Sequence, residues 1–415
     1  MNLSERVRSV LRTPAPSQAV HVVVDTGPGV EHALGGEWRE AHGSRLFIVE
    51  RCWDAGARHG AIRVGDIAAE LSANASHAAS LGKLSAGSAP PFLFFDLETT
   101  GLSGGAGTYA FLIGCGWCEE DGSFRTRQYL LAEHGGERAM LLALASDLSR
   151  SGTLVSFNGK SFDAPLIETR CAFHRLTWAG HERPHLDVLH PARRFWGDGD
   201  CSLVGLEAQI LGAPRSGDVP GFEIPGRYFH FLRSGDARPL AGVLEHNQRD
   251  LLSLAALSAR LVQLVAGGPA GTGDAREAFA LGSLYLSAGG AARAREAFER
   301  AVRMATGFSS VRVPALRALA LLERRERRFE AAAVCWQRVL EAPRCPHQLA
   351  REAAEALAIH AEHRARDLTG ARSFALKSLG VDAHRGWNDA VRHRLARLER
   401  KLSGEVGRVL LDPPV

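Results

Sequence analysis

The sequence predicts an α/β domain, in which helices flank a sheet, followed by an all-α solenoid. Three observations support this prediction. Short β-branched and aromatic runs alternate with apolar residues at helical spacing up to about residue 262. After a glycine-rich stretch at 267–273, apolar residues recur at a constant interval of 38 residues. A chain of 415 residues is also too long for one compact core, so two or three domains are expected.

The first 88 residues are predicted to be an N-terminal accessory region and linker. GSRLFIVERCW, at 43–53, has the apolar and β-branched composition of a strand. LSANASHAASLGKLSAGSAPP, at 71–91, is interpreted as a polar linker that precedes the next strand. We expect this region to be structural, covering a sheet edge or a groove.

An acidic pair ends the apolar run PFLFFDLETTGL at 91–102. Because alternate residues of a strand face the same side, Asp96 and Glu98 are expected to point together, opposite Leu97. Two carboxylates held this close repel each other unless a proton or a cation neutralises one of them. Oxygen ligands of this kind suit Mg²⁺ and Mn²⁺. Taken alone, the pair is equally typical of a solvated strand end.

Two later segments add two more acidic residues and a histidine. In TLVSFNGKSFDAPLIETR, at 153–170, a strand pattern meets a helical one, which places Asp163 in the first turn of a helix. An acid that only caps the helix is the alternative there. In LEHNQRDLLSLAALSARLVQLV, at 244–265, His246 and Asp250 lie four residues apart on one face of an amphipathic helix. By itself this pair is more typical of a surface hydrogen bond.

The order of these motifs resembles that of the DEDD exonuclease superfamily: D-x-E on a strand, N-x-x-x-F-D at a strand-to-helix turn, and H-x-x-x-D on a helix. DLETTGLSGGAGTYAFLIG, at 96–114, is similar to the YprB-type group of ribonuclease-H-like proteins within it. The resemblance covers residues 92 to about 262 and implies an α/β ribonuclease-H-like domain at 89–266, with a mixed sheet flanked by helices. It also implies four metal-binding acids and one general base, namely Asp96, Glu98, Asp163, Asp250 and His246.

The resemblance further implies an activity. It indicates a metal-dependent nuclease that hydrolyses phosphodiester bonds of DNA or RNA in the 3′–5′ direction, using two divalent ions, Mg²⁺ or Mn²⁺. In the resembling enzymes Asp96 would bridge both ions. Glu98 and Asp250 would complete one ion, and Asp163 would serve the other, largely through water.

One spacing departs from the pattern of that superfamily. There, three residues usually separate a tyrosine from the last aspartate, or four separate a histidine from it. Here three residues separate His246 from Asp250, so a histidine stands at the tyrosine-type spacing. An imidazole that faces the metals would act normally, whereas one that packs away would leave a slow or specialised enzyme. A catalytically weak nucleic-acid-binding adaptor, whose repeats recruit a protein partner, therefore stays open. A structure-selective endonuclease stays open as well, because the same carboxylate geometry can cut internally when the groove is open.

Polar residues beside the motifs are candidates for binding nucleic acid. Thr99 follows the acidic pair, and Asn158 and Lys160 flank the second motif. An exposed turn explains Asn158 and Lys160 equally well. The loop LSGGAGT, at 102–108, is predicted to be a hairpin turn, because it lacks the G-K-[ST] ending of a nucleotide-binding P-loop.

The segment after the glycine-rich linker at 267–273 resembles tetratricopeptide repeats over 274–380, followed by a C-terminal helix and tail at 381–415. Small residues allow paired helices to pack closely, and large ones fill the layer between them. A third copy, at 354–379, is looser. The matching positions are Leu281, Gly282, Tyr285, Ala294, Phe298 and Ala301 in the first copy, and Ala320, Ala332, Trp336 and Val339 in the second.

Charge is unevenly distributed along the chain. Residues 274–401 contain 24 basic and 15 acidic residues, a net charge of +9, although the whole chain carries only +4. The basic repeats would help to attract phosphates to the metal-binding domain. They also offer a surface for a protein partner, such as an acidic peptide, although a solvated helix face explains the arginines equally well.

The location of the protein is predicted from two features. No run of eighteen apolar residues occurs, and the start, MNLSERVRSVLR, lacks the apolar core of a secretory signal. The seven cysteines are scattered and odd in number, which favours reduced thiols. We therefore expect a cytoplasmic protein that does not use a membrane.

Overall fold

The computed structural model describes residues 29–84, 87–101, 107–197, 199–306, 309–379 and 385–409. The strands in these ranges are β1 (Glu37–Ala41), β2 (Ser44–Trp53), β3 (Arg58–His59), β4 (Ile62–Arg63), β5 (Phe92–Thr99), β6 (Ala110–Cys118), β7 (Phe124–Leu130), β8 (Thr153–Ser156) and β9 (His185–Asp187). Seven of them form one sheet in the order β1-β2-β7-β6-β5-β8-β9 within the described residues, and β3 and β4 form a separate hairpin.

The helices surround the sheet and then continue as a helical region. Short 3₁₀ or π turns lie at His134–Gly136, Ala179–Glu182, Glu207–Leu211, Gly221–Glu223, Pro269–Gly271 and Ala361–Ala365. In the described ranges the α-helices are α1 (Val30–Leu34), α2 (Val64–Ala73), α3 (His77–Gly82), α4 (Glu137–Ser149), α5 (Asp163–Phe173), α6 (Leu189–Trp196), α7 (Leu203–Leu206), α8 (Ile224–Ser234), α9 (Leu240–Gly267), α10 (Ala275–Ser287), α11 (Ala291–Met304), α12 (Arg312–Arg325), α13 (Phe329–Leu340), α14 (His347–His360), α15 (Leu368–Ser378) and α16 (Arg385–Val409).

Strand β5 lies inside the sheet and joins its two parts. It pairs antiparallel with β6 on one side and parallel with β8 on the other, and β8 pairs parallel with β9. The remaining pairs, β6 with β7, β7 with β2 and β2 with β1, are antiparallel. This mixed sheet, flanked by helices, confirms the predicted α/β architecture and fits a ribonuclease-H-like fold.

The side chains of β5 alternate between two apolar layers, as a strand requires. Phe92 and Phe94 pack in the layer that contains most of α9. Leu93 and Phe95 pack on the opposite side, in the layer that contains α4 and α5. The next even-numbered residues, Asp96 and Glu98, therefore face the same side of the sheet as α9.

The N-terminal region contains more regular structure than the sequence predicts. The predicted strand at 43–53 is confirmed as β2. The interpretation of 71–91 as a polar linker is wrong in part, because α3 lies within it and buries Ala78 and Leu81. These two residues are three apart, which is a helical spacing, but small residues among serines made the segment resemble a linker.

The C-terminal region is helical, and helices that are neighbours in sequence pack on one another from α10 to α15. At the first of these contacts Gly282 lies against the Phe298 ring, where a Cβ atom would come within 2.6 Å of the ring. The tetratricopeptide assignment and the domain boundaries stay predictions. The stretch predicted as a linker contains a 3₁₀ turn, and the buried Thr272 that follows it accepts a hydrogen bond from Arg300.

Helix α9 passes through the centre of the molecule. Of the helices in the described ranges, it has the length and composition of a membrane span, with a mean hydropathy of 1.4 over 18 residues. In this fold 72% of that window is buried inside the protein, as in a core helix. Its apolar character is thus accounted for by packing against the sheet and against the neighbouring helices.

Candidate active site

Strand β5 and helix α9 meet at Asp96. Asp96 lies opposite Gly114 of β6, and the missing side chain of that glycine leaves room for Asn247, whose Oδ1 would lie 2.1 Å from a Cβ atom there. The Asn247 amide donates to Asp96 Oδ2 at 2.8 Å and accepts from Gln128 at 2.8 Å. Asn247 is fully buried, so these contacts fix the Asp96 carboxylate in place. Sequence reasoning missed Asn247, although it stands directly after His246.

A tight turn after β8 delivers Asp163. Asn158 adopts a left-handed conformation with φ 65°, and a Cβ atom at Gly159 would lie 2.8 Å from the Asp163 carboxylate. Helix α5 then begins at Asp163, as predicted. Asp187, at the end of β9, holds the turn by accepting from the backbone N–H of Asn158 at 2.7 Å and of Lys160 at 3.2 Å. The turn is therefore fixed from the neighbouring strand.

Burial and mutual repulsion dominate the electrostatics of the first motif. Burial raises the pKa of Asp96 well above its usual value, and the neighbouring carboxylates, first that of Asp250, raise it further. The pKa of Glu98 is raised well above its usual value for the same reasons. Both shifts include contributions from Asp163 and Asp250, so charges from two distant segments act on the first motif. The structure thus places the four predicted acids close enough for Asp163 and Asp250 to act on the charges of Asp96 and Glu98.

The other two acids, Asp163 and Asp250, differ in the neighbouring charges that act on their pKa values. Burial raises the pKa of Asp163 to about 7, and the charge of Asp187 adds to the shift. Burial also raises the pKa of Asp250, although the positive charges of His246 and Arg215 act against the shift. The side chain of Asp250 is 13% exposed and forms an ion pair with Arg215.

Sequence reasoning missed the charged residues around His246. Arg215 and Asp218 lie in the loop before α8, and Glu207 lies in the turn after α7. The Arg215 guanidinium contacts Glu207, Asp218 and Asp250, and His246 Nδ1 lies 2.9 Å from both oxygens of Asp218. Nothing in GAPRSGDVPG marks these residues as part of a site, because only the fold brings that loop against α9.

The chemistry of the donor set fits a divalent cation. Within the residues that the structure describes, no three His, Cys, Asp or Glu side chains converge closely enough to hold an ion as they stand. The raised pKa values of Asp96 and Glu98 nevertheless show carboxylates whose negative charge is not balanced. Hard divalent ions with oxygen ligands neutralise this kind of cluster.

The three residues predicted to bind nucleic acid lie at the end of β5 or in the turn before α5. They are close in sequence to members of the acidic cluster, that is Asp96, Glu98, Asp163 and Asp250. Thr99 ends β5 and donates its hydroxyl to the Gly101 carbonyl at 2.9 Å. Asn158 is half-buried in the turn, whereas Lys160 is exposed. Their contacts to nucleic acid stay a prediction. Most of the predicted hairpin loop, residues 102–106, lies outside the described residues.

Comparison with known proteins identifies the domain. Residues 93–262 match the family RNase_H_2, which is described as part of the RNase H superfamily. The chain is also 33% identical over 317 residues to the uncharacterized protein YprB of Bacillus subtilis (strain 168), covering 75% of each chain.

Among solved structures, the family B DNA polymerase of the archaeon Pyrobaculum calidifontis aligns with a TM-score of 0.35 and 12% identity. The alignment covers 68% of this chain and 34% of the polymerase chain, so the chain spans about a third of that protein. Similarity at this level defines neither the fold nor the function.

Proposed function

This chain belongs to the YprB family and contains an RNase H superfamily domain, and from this we propose that it is a metal-dependent nuclease that hydrolyses phosphodiester bonds. Membership of this superfamily suggests a nuclease-like function, and its nucleases generally act on nucleic acids with divalent metal ions. The finer proposal is a 3′–5′ exonuclease that uses two Mg²⁺ or Mn²⁺ ions. The direction of cleavage rests only on the resemblance to the DEDD exonuclease superfamily.

One observation supports the proposal above the others. The charges of Asp163 and Asp250 raise the pKa of both Asp96 and Glu98, so carboxylates from three separate segments of the sequence act at a single place beside the central strand. A core gains nothing from such repulsion, since each buried and uncompensated charge costs stability. A cluster of this kind is therefore expected to serve a bound cation, and carboxylate ligands select hard ions.

In the proposed reaction Asp96, Glu98, Asp163 and Asp250 would hold the ions. Bound Mg²⁺ or Mn²⁺ supplies an activated water and stabilises the charge that develops on the phosphate. His246 would accept the proton of the attacking water at Nε2, because Nδ1 is occupied by Asp218. Lys160, exposed in the turn before Asp163, would contact the phosphate backbone.

The direct test is an assay with end-labelled single- and double-stranded DNA and RNA in Mn²⁺, Mg²⁺ or EDTA. The wild-type protein is compared with Asp96→Ala and with Asp66→Ala, a matched loss of an exposed aspartate on α2. We expect a metal-dependent ladder from the 3′ end that Asp96→Ala loses and Asp66→Ala keeps.

The other outcomes separate the alternative functions. Internal cuts with the same metal and mutant dependence would replace the exonuclease by a structure-selective endonuclease. Retained binding without cleavage of any substrate would overturn the nuclease and favour an adaptor. In that case the basic C-terminal helices would be the first place to look for a protein partner.

A further inference from the structure

A buried network of charged side chains surrounds the part of α9 that faces the acidic cluster. Arg215 is its centre, and the side chain is only 4% exposed. Its Nε contacts Glu207, its Nη1 lies 2.9 Å from Asp218, and its Nη2 contacts Asp250. A guanidinium with donors in a planar fork can hold several carboxylates in fixed positions, which a lysine cannot do. Arg215 thus links Asp250 to a loop outside the three motifs.

The orientation of the His246 ring depends on this network. Both oxygens of Asp218 lie 2.9 Å from Nδ1, whereas the Arg215 guanidinium, the other group at this nitrogen, lies 3.4 Å away. Because the nearer group is a carboxylate, which only accepts hydrogen bonds, the geometry favours a proton on Nδ1. Nε2 lies on the opposite side of the ring, 3.5 Å from Asp250 Oδ2. In the neutral imidazole the free lone pair therefore belongs to the nitrogen that faces the acidic cluster. This is the nitrogen that a general base would use.

A second layer fixes Arg215 from behind. Glu207 is 1% exposed and accepts a hydrogen bond from Ser253 Oγ at 2.8 Å. Ser253 Oγ in turn lies 2.7 Å from Nε2 of His59, in the N-terminal hairpin formed by β3 and β4. Each carboxylate oxygen of Glu207 therefore has a polar partner, Arg215 on one and Ser253 on the other. The position of Arg215 is thus set by elements from both ends of the domain.

We propose that Asp218 and Arg215 are positioning residues for the active site. Asp218 holds His246 in the tautomer with the proton on Nδ1, and Arg215 holds Asp218 and Asp250 in their places. The expected kinetic effect rests on the proposed nuclease function. The tautomer of His246, in contrast, is a property of the folded protein and is measured without any substrate.

The first test measures that tautomer directly. Protein labelled with ¹⁵N-histidine is studied without metal by long-range ¹H–¹⁵N NMR, and His246→Ala assigns the signal. We expect the Nδ1–H form in the wild type and in Asp218→Asn, which keeps an acceptor oxygen, and a loss of that preference in Asp218→Ala. An Nε2–H form in the wild type, or an unchanged signal in Asp218→Ala, would overturn the proposal.

The second test uses kinetics and a double-mutant cycle. Loss of a group that orients a functional side chain typically costs 10- to 100-fold, so Asp218→Ala is expected to lower kcat by roughly that factor. In a His246→Ala background the same change is expected to cost less than about 2-fold, because Asp218 acts through the imidazole. Equal losses in both backgrounds would show a structural role and sink the proposal.

The choice of variants keeps the result interpretable. Arg215→Ala would leave Glu207 buried without its cation and is expected to unfold the protein, so Asp218, whose side chain is 18% exposed, carries the test. Asp66→Ala is the matched control, and thermal unfolding checks each variant. If the wild type cleaves nothing, the proposed nuclease function fails, while the NMR result still decides whether Asp218 sets the tautomer.

Discussion

At the residue scale, the charge of the acidic cluster is unevenly balanced. Asp250 has an arginine partner, whereas within the part of the chain that the structure describes the Asp96 carboxylate has the neutral amide of Asn247 as its partner. Because of this difference, the same substitution is expected to have opposite effects on the metal-free protein at these two positions. Removing a carboxylate that its neighbours repel is expected to stabilise the folded protein. Removing a carboxylate that pairs with a buried arginine is expected to destabilise it, because the arginine loses a partner.

We expect both Asp96→Ala and Asp250→Ala to abolish cleavage, and their thermal stabilities without metal to differ. Asp96→Ala should unfold at the wild-type temperature or above it. Asp250→Ala should unfold at a lower temperature, because Arg215 loses a partner. Calorimetry in EDTA measures the three proteins side by side. Full activity in either variant would exclude that residue from the site, and an unstable Asp96→Ala protein would contradict the proposed repulsion.

His246 provides a graded prediction at the same scale. If its imidazole is the general base, His246→Ala should lower kcat by roughly 10² to 10⁴ with the fold intact. His174 is a matched control, since it is also half-buried and pairs with a carboxylate, that of Glu137. His174→Ala is expected to leave kcat within a few-fold of the wild type. A comparable loss in both variants would reduce His246 to a packing residue.

At the element scale, the last described helix is attached by charge as well as by apolar contacts. Glu362, in the π turn after α14, lies within 2.9 Å of Arg397 and Lys401 of α16. Its side chain is fully buried although both cations are partly exposed. Hydrogen bonds to these cations lower the pKa of Glu362 to about 2, against the opposing effect of burial.

We therefore predict that Glu362→Gln loosens α16. Losing hydrogen bonds to charged partners should cost about 2 kcal/mol, and amide hydrogen exchange in α16 should become faster. Glu399→Gln on the same helix is the control, because the Glu399 pair with Arg372 is exposed and worth at most about 1 kcal/mol. Equal protection in the wild type and Glu362→Gln would contradict this role.

The same carboxylate predicts a dependence on pH. Its pKa is lower in the folded state than the usual 4.5, so its stabilisation is fully present above pH 4.5. It is lost as the pH falls from there through the folded value of about 2. Stability of the wild type should fall more steeply across this range than that of Glu362→Gln, which has no such carboxylate. Parallel acid-unfolding curves for the two proteins would contradict the prediction.

At the scale of the whole molecule, the sheet domain and the C-terminal helices share one apolar layer. The layer extends from Val64 on α2 to Leu357 on α14. Polar contacts cross the same junction, since the Trp196 indole donates to Glu277 and the Tyr285 hydroxyl donates to the Val265 carbonyl. The two parts are therefore expected to depend on each other for stability.

We predict a single cooperative unfolding transition for the full chain. Leu281→Ala in α10 leaves a cavity in the shared layer, so it should lower the free energy of unfolding by about 2–5 kcal/mol. The single transition should then move as a whole to a lower temperature. Scanning calorimetry and circular dichroism provide the measurement. Two separated transitions, of which Leu281→Ala moves only one, would show independent domains.

Metal binding is also expected to act on the whole molecule. An ion that binds only the folded protein stabilises it in proportion to the logarithm of its concentration, by about 4 kcal/mol at a thousandfold excess over Kd. Mn²⁺ should therefore raise the unfolding temperature of the wild type and of Asp66→Ala, but not of Asp96→Ala. An equal rise in all three proteins would place the ion elsewhere.

The sequence by itself determined the elements whose signal is local. The alternation around Asp96 predicted a strand with two carboxylates on one face, and the change of period near Phe162 predicted the start of α5. The family resemblance named four candidate acids, and the structure places each of them in the strand or helix that the sequence predicted. Small residues in α3 carried too weak a pattern, and that helix was missed.

Only the tertiary structure decided how these parts meet. Packing of separate elements against α9 brings four further residues to the candidate site, namely Arg215, Asp218, Glu207 and Asn247. No local sequence pattern records such contacts. The spacing between His246 and Asp250 left the direction of the imidazole open, and in the structure Nδ1 faces Asp218 while Nε2 faces Asp250. Periodicity reports which face of an element is buried, whereas the partner on that face is fixed by long-range packing.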